Sequence, residues 1–147
     1  MALDSFLDKD SQRRIVEAIG VAEKCTSGEI RLHVEPMCKC GDPYERAIEV
    51  FNKLEMYATE ARNGVLIYIA YKSRKFAIIG DDGINRKVGA DFWENEKDIL
   101  AGYLKSGKTA DGLCEVIQMI GENLSKYFPY QKDDVNELSD EISYESN

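Results

Sequence analysis

The residues of this 147-residue chain best suited to chemistry are oxygen donors: the adjacent Asp81 and Asp82, with Asn63 and Glu29 upstream. Carboxylate and amide oxygens without a histidine or cysteine among them suit a hard divalent cation. Calcium comes before magnesium because it tolerates an irregular oxygen shell. Asp81, Asp82, Gly83, Ile84 and Asn85 do not form an EF-hand loop, which needs alternating ligands and a later bidentate glutamate. The bland alternative has Asp82 capping the turn that follows, Asp81 solvated and Glu29 an ordinary surface carboxylate. Gathering four such groups without a cation would raise their pKa values and cost stability, which favours the metal. Asp111 is a fifth candidate ligand if the last helix starts near the others. If the two long helices form a simple hairpin, it lies at the far end and merely complements a helix dipole. No nucleophile stands beside a base, and no glycine-rich phosphate loop is present. The expected function is therefore calcium binding in a non-catalytic regulatory or interaction domain, the partners being the cation and a possible protein. A metal-dependent phosphatase, with Asp81 or Asp82 as nucleophile or ligand, is the alternative, and so is a scaffold whose acidic tail binds a basic partner.

Positioning these groups falls to a hairpin. Residues 64–71 form a near-continuous apolar run rich in Val, Ile and Tyr, the pattern of a strand covered on both faces, and residues 75–79 form a second. Lys72, Ser73 and Arg74 are too few for a crossover, so the strands are expected antiparallel even without an Asn-Gly or Asp-Gly turn. That lays Asp81 and Asp82 beside Asn63. Upstream, Ile30, Leu32 and Val34 alternate with Glu29, Arg31, His33 and Glu35, a strand with one wetter face that ends at Pro36. His33 on that face reads as solvated or hydrogen-bonded rather than as a base or ligand. A helix introduced by Gly41, Asp42 and Pro43, with Tyr44, Ala47, Ile48, Phe51 and Leu54 at helical spacing, follows the strand. Strand, helix, strand implies a right-handed crossover and parallel pairing, which brings Glu29 to the same sheet edge.

Three more helices are expected. One is capped by Asp10 or Ser11 and carries Ile15, Val16, Ile19 and Ala22. A second spans 90–103 with Phe92, Trp93, Ile99, Leu100 and Tyr103 turned to the core. The third is capped by Thr109, with a stripe of Leu113, Val116, Ile117, Ile120 and Leu124. All 19 Lys and Arg fall at or before Lys132, leaving residues 1–132 with 21 acidic side chains and a net charge of −2. The acidity is concentrated in residues 131–147, read as a disordered tail. Clustered basic residues for a duplex are absent, so nucleic acid is an unexpected partner. The chain shows neither a secretory leader nor a run long enough to span a bilayer, and a cytoplasmic protein with reduced thiols is expected. Cys38 and Cys40, without a second pair or a nearby histidine, read as loop thiols.

The segments TSGEIRLHV (26–34), RNGVLIYIAYKSRKFAIIGDDGIN (62–85), the downstream Phe92-Trp93 and SGKTADGL (106–113) resemble the TPM domain family in order and spacing. That family includes thylakoid lumen proteins linked to photosystem II repair and many bacterial proteins. The resemblance implies a three-layer α/β sandwich, with a mixed sheet between helices, over residues 1–130. It also implies divalent metal binding, typically of calcium, in some members, and acid phosphatase activity in some plant members. Many bacterial members carry a signal peptide and a membrane anchor, which this sequence does not display.

Overall fold

The computed structural model describes residues 2–89, 91–131 and 138–147. Strand β2 (Gly64–Ala70) is buried at every position, as its unbroken apolar run requires. It pairs antiparallel with β3 (Lys75–Gly80), Val65 opposite Gly80 and Ala70 opposite Lys75. The connecting turn closes without an Asn-Gly because Arg74 itself takes the left-handed conformation, at φ 55°. On the other side β2 pairs parallel with β1 (Glu29–Glu35), Glu29 opposite Gly64 and Glu35 opposite Ala70. The crossover between them carries α3 (Pro43–Lys53), whose N-cap Asp42 accepts the Tyr44 N–H. The sheet order is β3-β2-β1-β4, where β4 (Ser143–Tyr144) adds a parallel strand outside β1.

Side-chain alternation splits the core between the two faces of this sheet. Ile30, Leu32, Val34, Val65, Ile67, Ile69 and Ile78 meet helices α1 (Ala2–Phe6), α2 (Lys9–Glu23), α5 (Glu94–Lys105) and α6 (Thr109–Ser125). Leu66, Tyr68, Ala70, Ala77 and Ile79 meet α3. The architecture is thus an α/β sandwich with a mixed sheet between helices. The stripe Leu113, Val116, Ile117, Ile120 and Leu124 is completely buried, each side chain contributing on the order of 2 kcal/mol. Against α2 it presents Gly121, where a Cβ would lie 2.9 Å from that of Ala22.

Several local expectations are corrected. Asp8 caps α2 instead of Asp10 or Ser11, its carboxylate accepting the Ser11 N–H at 2.8 Å. Thr109 is the first residue of α6 and not its cap, and α5 begins only at Glu94. On α3, Ala47, Val50 and Phe51 are buried while Tyr44 and Ile48 face solvent, because the stripe over the sheet is rotated relative to that read from spacing. The face of β1 read as wetter is buried at Glu29, His33 and Glu35, since α3 and the C-terminal residues cover it. Within the expected tail, Ser143 and Tyr144 pair with His33 and Val34 of β1, while residues 132–137 lie outside the described residues.

Candidate functional site

The edge at which β1 and β2 begin and β3 ends holds four of the five expected ligands. The Glu29 N–H reaches the Asn63 carbonyl at 3.3 Å, and the Asp81 N–H reaches the Gly64 carbonyl at 2.9 Å. Glu29, Gly64 and Asp81 therefore form a row across three strands, with the side-chain-free Gly64 in the middle. Two strand spacings separate the backbones of the carboxylates, about 10 Å. Asp82 is the first residue of α4 (Asp82–Asn85), its side chain largely exposed, while Glu29, Asn63 and Asp81 are buried.

Each buried group has a distinct environment. Asp81 caps α4 through the Asp82 N–H at 2.7 Å and takes a bidentate ion pair from Arg62, at 2.8 and 2.9 Å. Arg62 itself sits at φ 52°, held there by the backbone bond from Gly83 N to its carbonyl at 2.8 Å. Gly83 is obligatory, since a Cβ there would lie 2.1 Å from the Ala61 carbonyl oxygen. Glu29 accepts the Leu138 N–H on Oε2 at 3.0 Å. Asn63 donates its N–H weakly to Thr59 Oγ1 and turns its amide nitrogen to Ser27, while its buried Oδ1 has no hydrogen-bond partner among the described residues. A cleft of about 330 Å³ opens beside Asp81, lined among others by Tyr44, Ile48, Arg62, Asp82 and Asn85.

Asp111 does not join them. The C-terminal end of α6 lies at this edge, with Thr26 Oγ1 and the Ser27 N–H both on the Phe128 carbonyl. The first turn is therefore about 20 Å away at 1.5 Å per residue. There Asp111 pairs with Arg14 at 2.7 Å. The helices α5 and α6 form the simple hairpin that excludes it. Arg62 and Leu138 are the partners that sequence reasoning missed. The hairpin register could have suggested Arg62 beside Asp81, whereas nothing in the tail composition singles out Leu138.

A second polar cluster fills the opposite end of β1. Glu35, fully buried, accepts from Arg46 at 2.8 and 2.9 Å, from the Tyr68 hydroxyl at 2.5 Å and from His33 Nε2 at 3.0 Å. Burial pushes its carboxyl up, but these donors overcome it and hold the pKa at about 2. An ionised Glu35 can only accept, so His33 carries its proton on Nε2 and takes the Ser143 hydroxyl on Nδ1 at 2.8 Å. Burial lowers the His33 pKa against the pull of Glu35. Arg46 also binds Glu145 at 2.7 Å, and Lys53 binds that carboxylate at 2.8 Å. His33, Glu35 and Glu145 are the one group of three or more His, Cys, Asp or Glu residues, among the described residues, whose ligand atoms lie within 4.8 Å of one another. Arg46 already supplies the positive charge there, which makes the cluster a clasp between α3, the sheet and the C-terminal residues.

Similarity to known proteins agrees with this architecture. The family model described as TPM domain matches residues 2–123. The NMR structure of BA42 protein from the psychrophilic bacterium Bizionia argentinensis is similar, at 43% identity and a TM-score of 0.87, covering 92% of this chain and 93% of that one. The N-terminal domain of cg2496 protein from Corynebacterium glutamicum has a TM-score of 0.62 at 10% identity, covering 91% of this chain and 78% of that one, a likeness of fold alone. Among curated proteins none matches.

Proposed function

Because this chain belongs to the TPM domain family, we propose that the sheet edge at Glu29, Asn63, Asp81 and Asp82 binds a divalent cation, calcium before magnesium, and that the domain acts as a regulatory or interaction module. The observation that carries this reading is the Asn63 Oδ1, a buried oxygen without a hydrogen-bond partner among the described residues, at the edge that also holds three carboxylates. A buried acceptor left bare costs about 1–3 kcal/mol, and a hard cation would satisfy it. Asp81 and Asp82 would be the ligands at the mouth of the cleft. Their present counter-charge is Arg62, whose side chain is 41% exposed. Asp111 has no part in this site. The acid phosphatase alternative has less support, since the opening after β3 is faced by the carboxylates of Asp81 and Asp82.

A calcium titration followed by amide NMR, with magnesium as competitor, tests the reading. Saturable shifts centred on Glu29, Asn63 and residues 80–85, lost in the Asp81→Asn, Asp82→Asn double variant, are the expected result. The absence of localised shifts at millimolar calcium in every variant, including those described below, would sink it.

A further inference from the structure

A residue of the C-terminal segment lies between Glu29 and the other carboxylates. Leu138 donates its N–H to Glu29 Oε2, and its side chain lies over Gly64 beside Met56: a Cβ there would be 3.2 Å from the Met56 carbonyl oxygen and 3.7 Å from Leu138 Cδ1. With Met56 it fills the middle of the Glu29, Gly64, Asp81 row, the place where the glycine brings no side chain between two carboxylates.

The segment is held by polar contacts and by the half-buried Leu138, Ile142 and Tyr144, with Asp140 hydrogen-bonded to Glu23. Strand β4 pairs only at Ser143 and Tyr144, and the Glu145 N–H reaches the Val34 carbonyl at 3.1 Å. Glu145 is ion-paired to Arg46 and Lys53, and the Asn147 side chain exchanges two 2.9 Å bonds with the Met37 backbone. A two-residue edge strand whose ion pairs are partly exposed, and none of whose apolar side chains is fully buried, opens below the energy of global unfolding.

Building on the cation site proposed above, we propose that residues 138–147 are a displaceable cover that competes with the divalent cation for Glu29. With the cover down, the Leu138 N–H binds Glu29 and the row is divided. With the cover lifted, Glu29 and Asp81 flank Gly64 and the Met56 carbonyl beside it, and a cation can join the two carboxylates. Linkage makes the two events oppose each other: calcium weakens docking of the segment, and docking weakens calcium. Lifting the cover also bares the β1 edge and frees Arg46 and Lys53 from Glu145, so cation binding is converted into an exposed strand edge flanked by positive charge.

The test is the same calcium titration on the full chain, with Glu145→Lys and Leu138→Pro alongside wild type. The first turns two ion pairs into repulsion, and the second removes the N–H from Glu29 while leaving the ion pairs. Both variants should bind calcium roughly threefold to tenfold more tightly, since each removes about 0.6–1.4 kcal/mol of competing docking. In wild type, calcium should move the amides of residues 143–147 to unstructured positions and abolish the contact between His33 and Ser143. If calcium binds all three proteins equally and those amides stay in place, the cover is overturned while the cation site stands. If none of the three binds calcium, the site falls and the cover with it.

Discussion

At the scale of single residues, the carboxylates at the sheet edge differ in what neutralises them. Asp81 takes a bidentate guanidinium, Asp82 lies 3.6 Å from the same guanidinium with its side chain largely exposed, and Glu29 accepts a backbone N–H among its contacts. Such groups do not gather uncompensated: Arg62 offsets Asp81, and the cation proposed above would offset the rest. Backbone precision at this edge depends on Gly83. Gly83→Ala should destabilise the protein by about 2 kcal/mol or more, because the obstructing atom is a backbone carbonyl that cannot turn aside. Gly102 is the control. It lies within α5, and a methyl group added there would meet nothing within 4 Å, so Gly102→Ala should stabilise by about 0.5–1 kcal/mol. Urea melts of both variants check the pair, and equal effects would show that the close approach at Gly83 is not tight.

At the scale of elements, β1 is the strand on which the polar chemistry is strung. Its outward-alternating residues bind the tail at one end and α3 at the other, and so lose the solvent they would meet on an ordinary edge strand. Replacing Arg46 with methionine leaves Glu35 as a buried charge without its main partner, at a cost of roughly 3–5 kcal/mol. The same carboxylate sets an acid limit. Its pKa is lowered to about 2 in the folded chain, so its contribution is present in full above its ordinary value of 4.5 and is lost as pH falls through about 2. Melting temperatures taken from pH 6 to pH 2 should fall across this window, and Glu35→Gln should flatten the fall. An unchanged profile in Glu35→Gln would assign the acid sensitivity elsewhere.

At the scale of the whole molecule, one carboxyl ties the helical layer, the sheet and the C-terminal segment together. Glu23, at the end of α2, accepts the Ile30 N–H at 2.9 Å and shares a hydrogen bond with Asp140. Burial first, and then Asp140, raises its pKa to about 9. A raised carboxyl binds its proton more tightly folded than unfolded, so stability should decline as pH rises from 4.5 to about 9 and level off beyond. Glu23→Gln should remove that slope, read as urea midpoints at pH 6 and pH 9. A slope that persists in the variant would place the titrating group elsewhere. Among the described residues, no helix is long and apolar enough to cross a membrane.

What the sequence determined by itself is what short-range pattern controls. The two apolar runs with a three-residue gap made a hairpin, the strand, helix, strand order made a parallel pair, and together they placed Glu29, Asn63, Asp81 and Asp82 at one edge. The stripe on α6 was equally legible, because period and burial coincide there. Tertiary structure alone decided the rest. Asp111 depended on which way a helical hairpin runs, a choice that periodicity does not encode. The burial of His33 and Glu35 depended on α3 and on a C-terminal segment whose composition resembles a solvated tail. That segment is ordered by long-range partners, Arg46, Lys53, His33 and Glu29, each about a hundred residues away. Ordering bought by contacts so distant leaves no trace in the residues that are ordered.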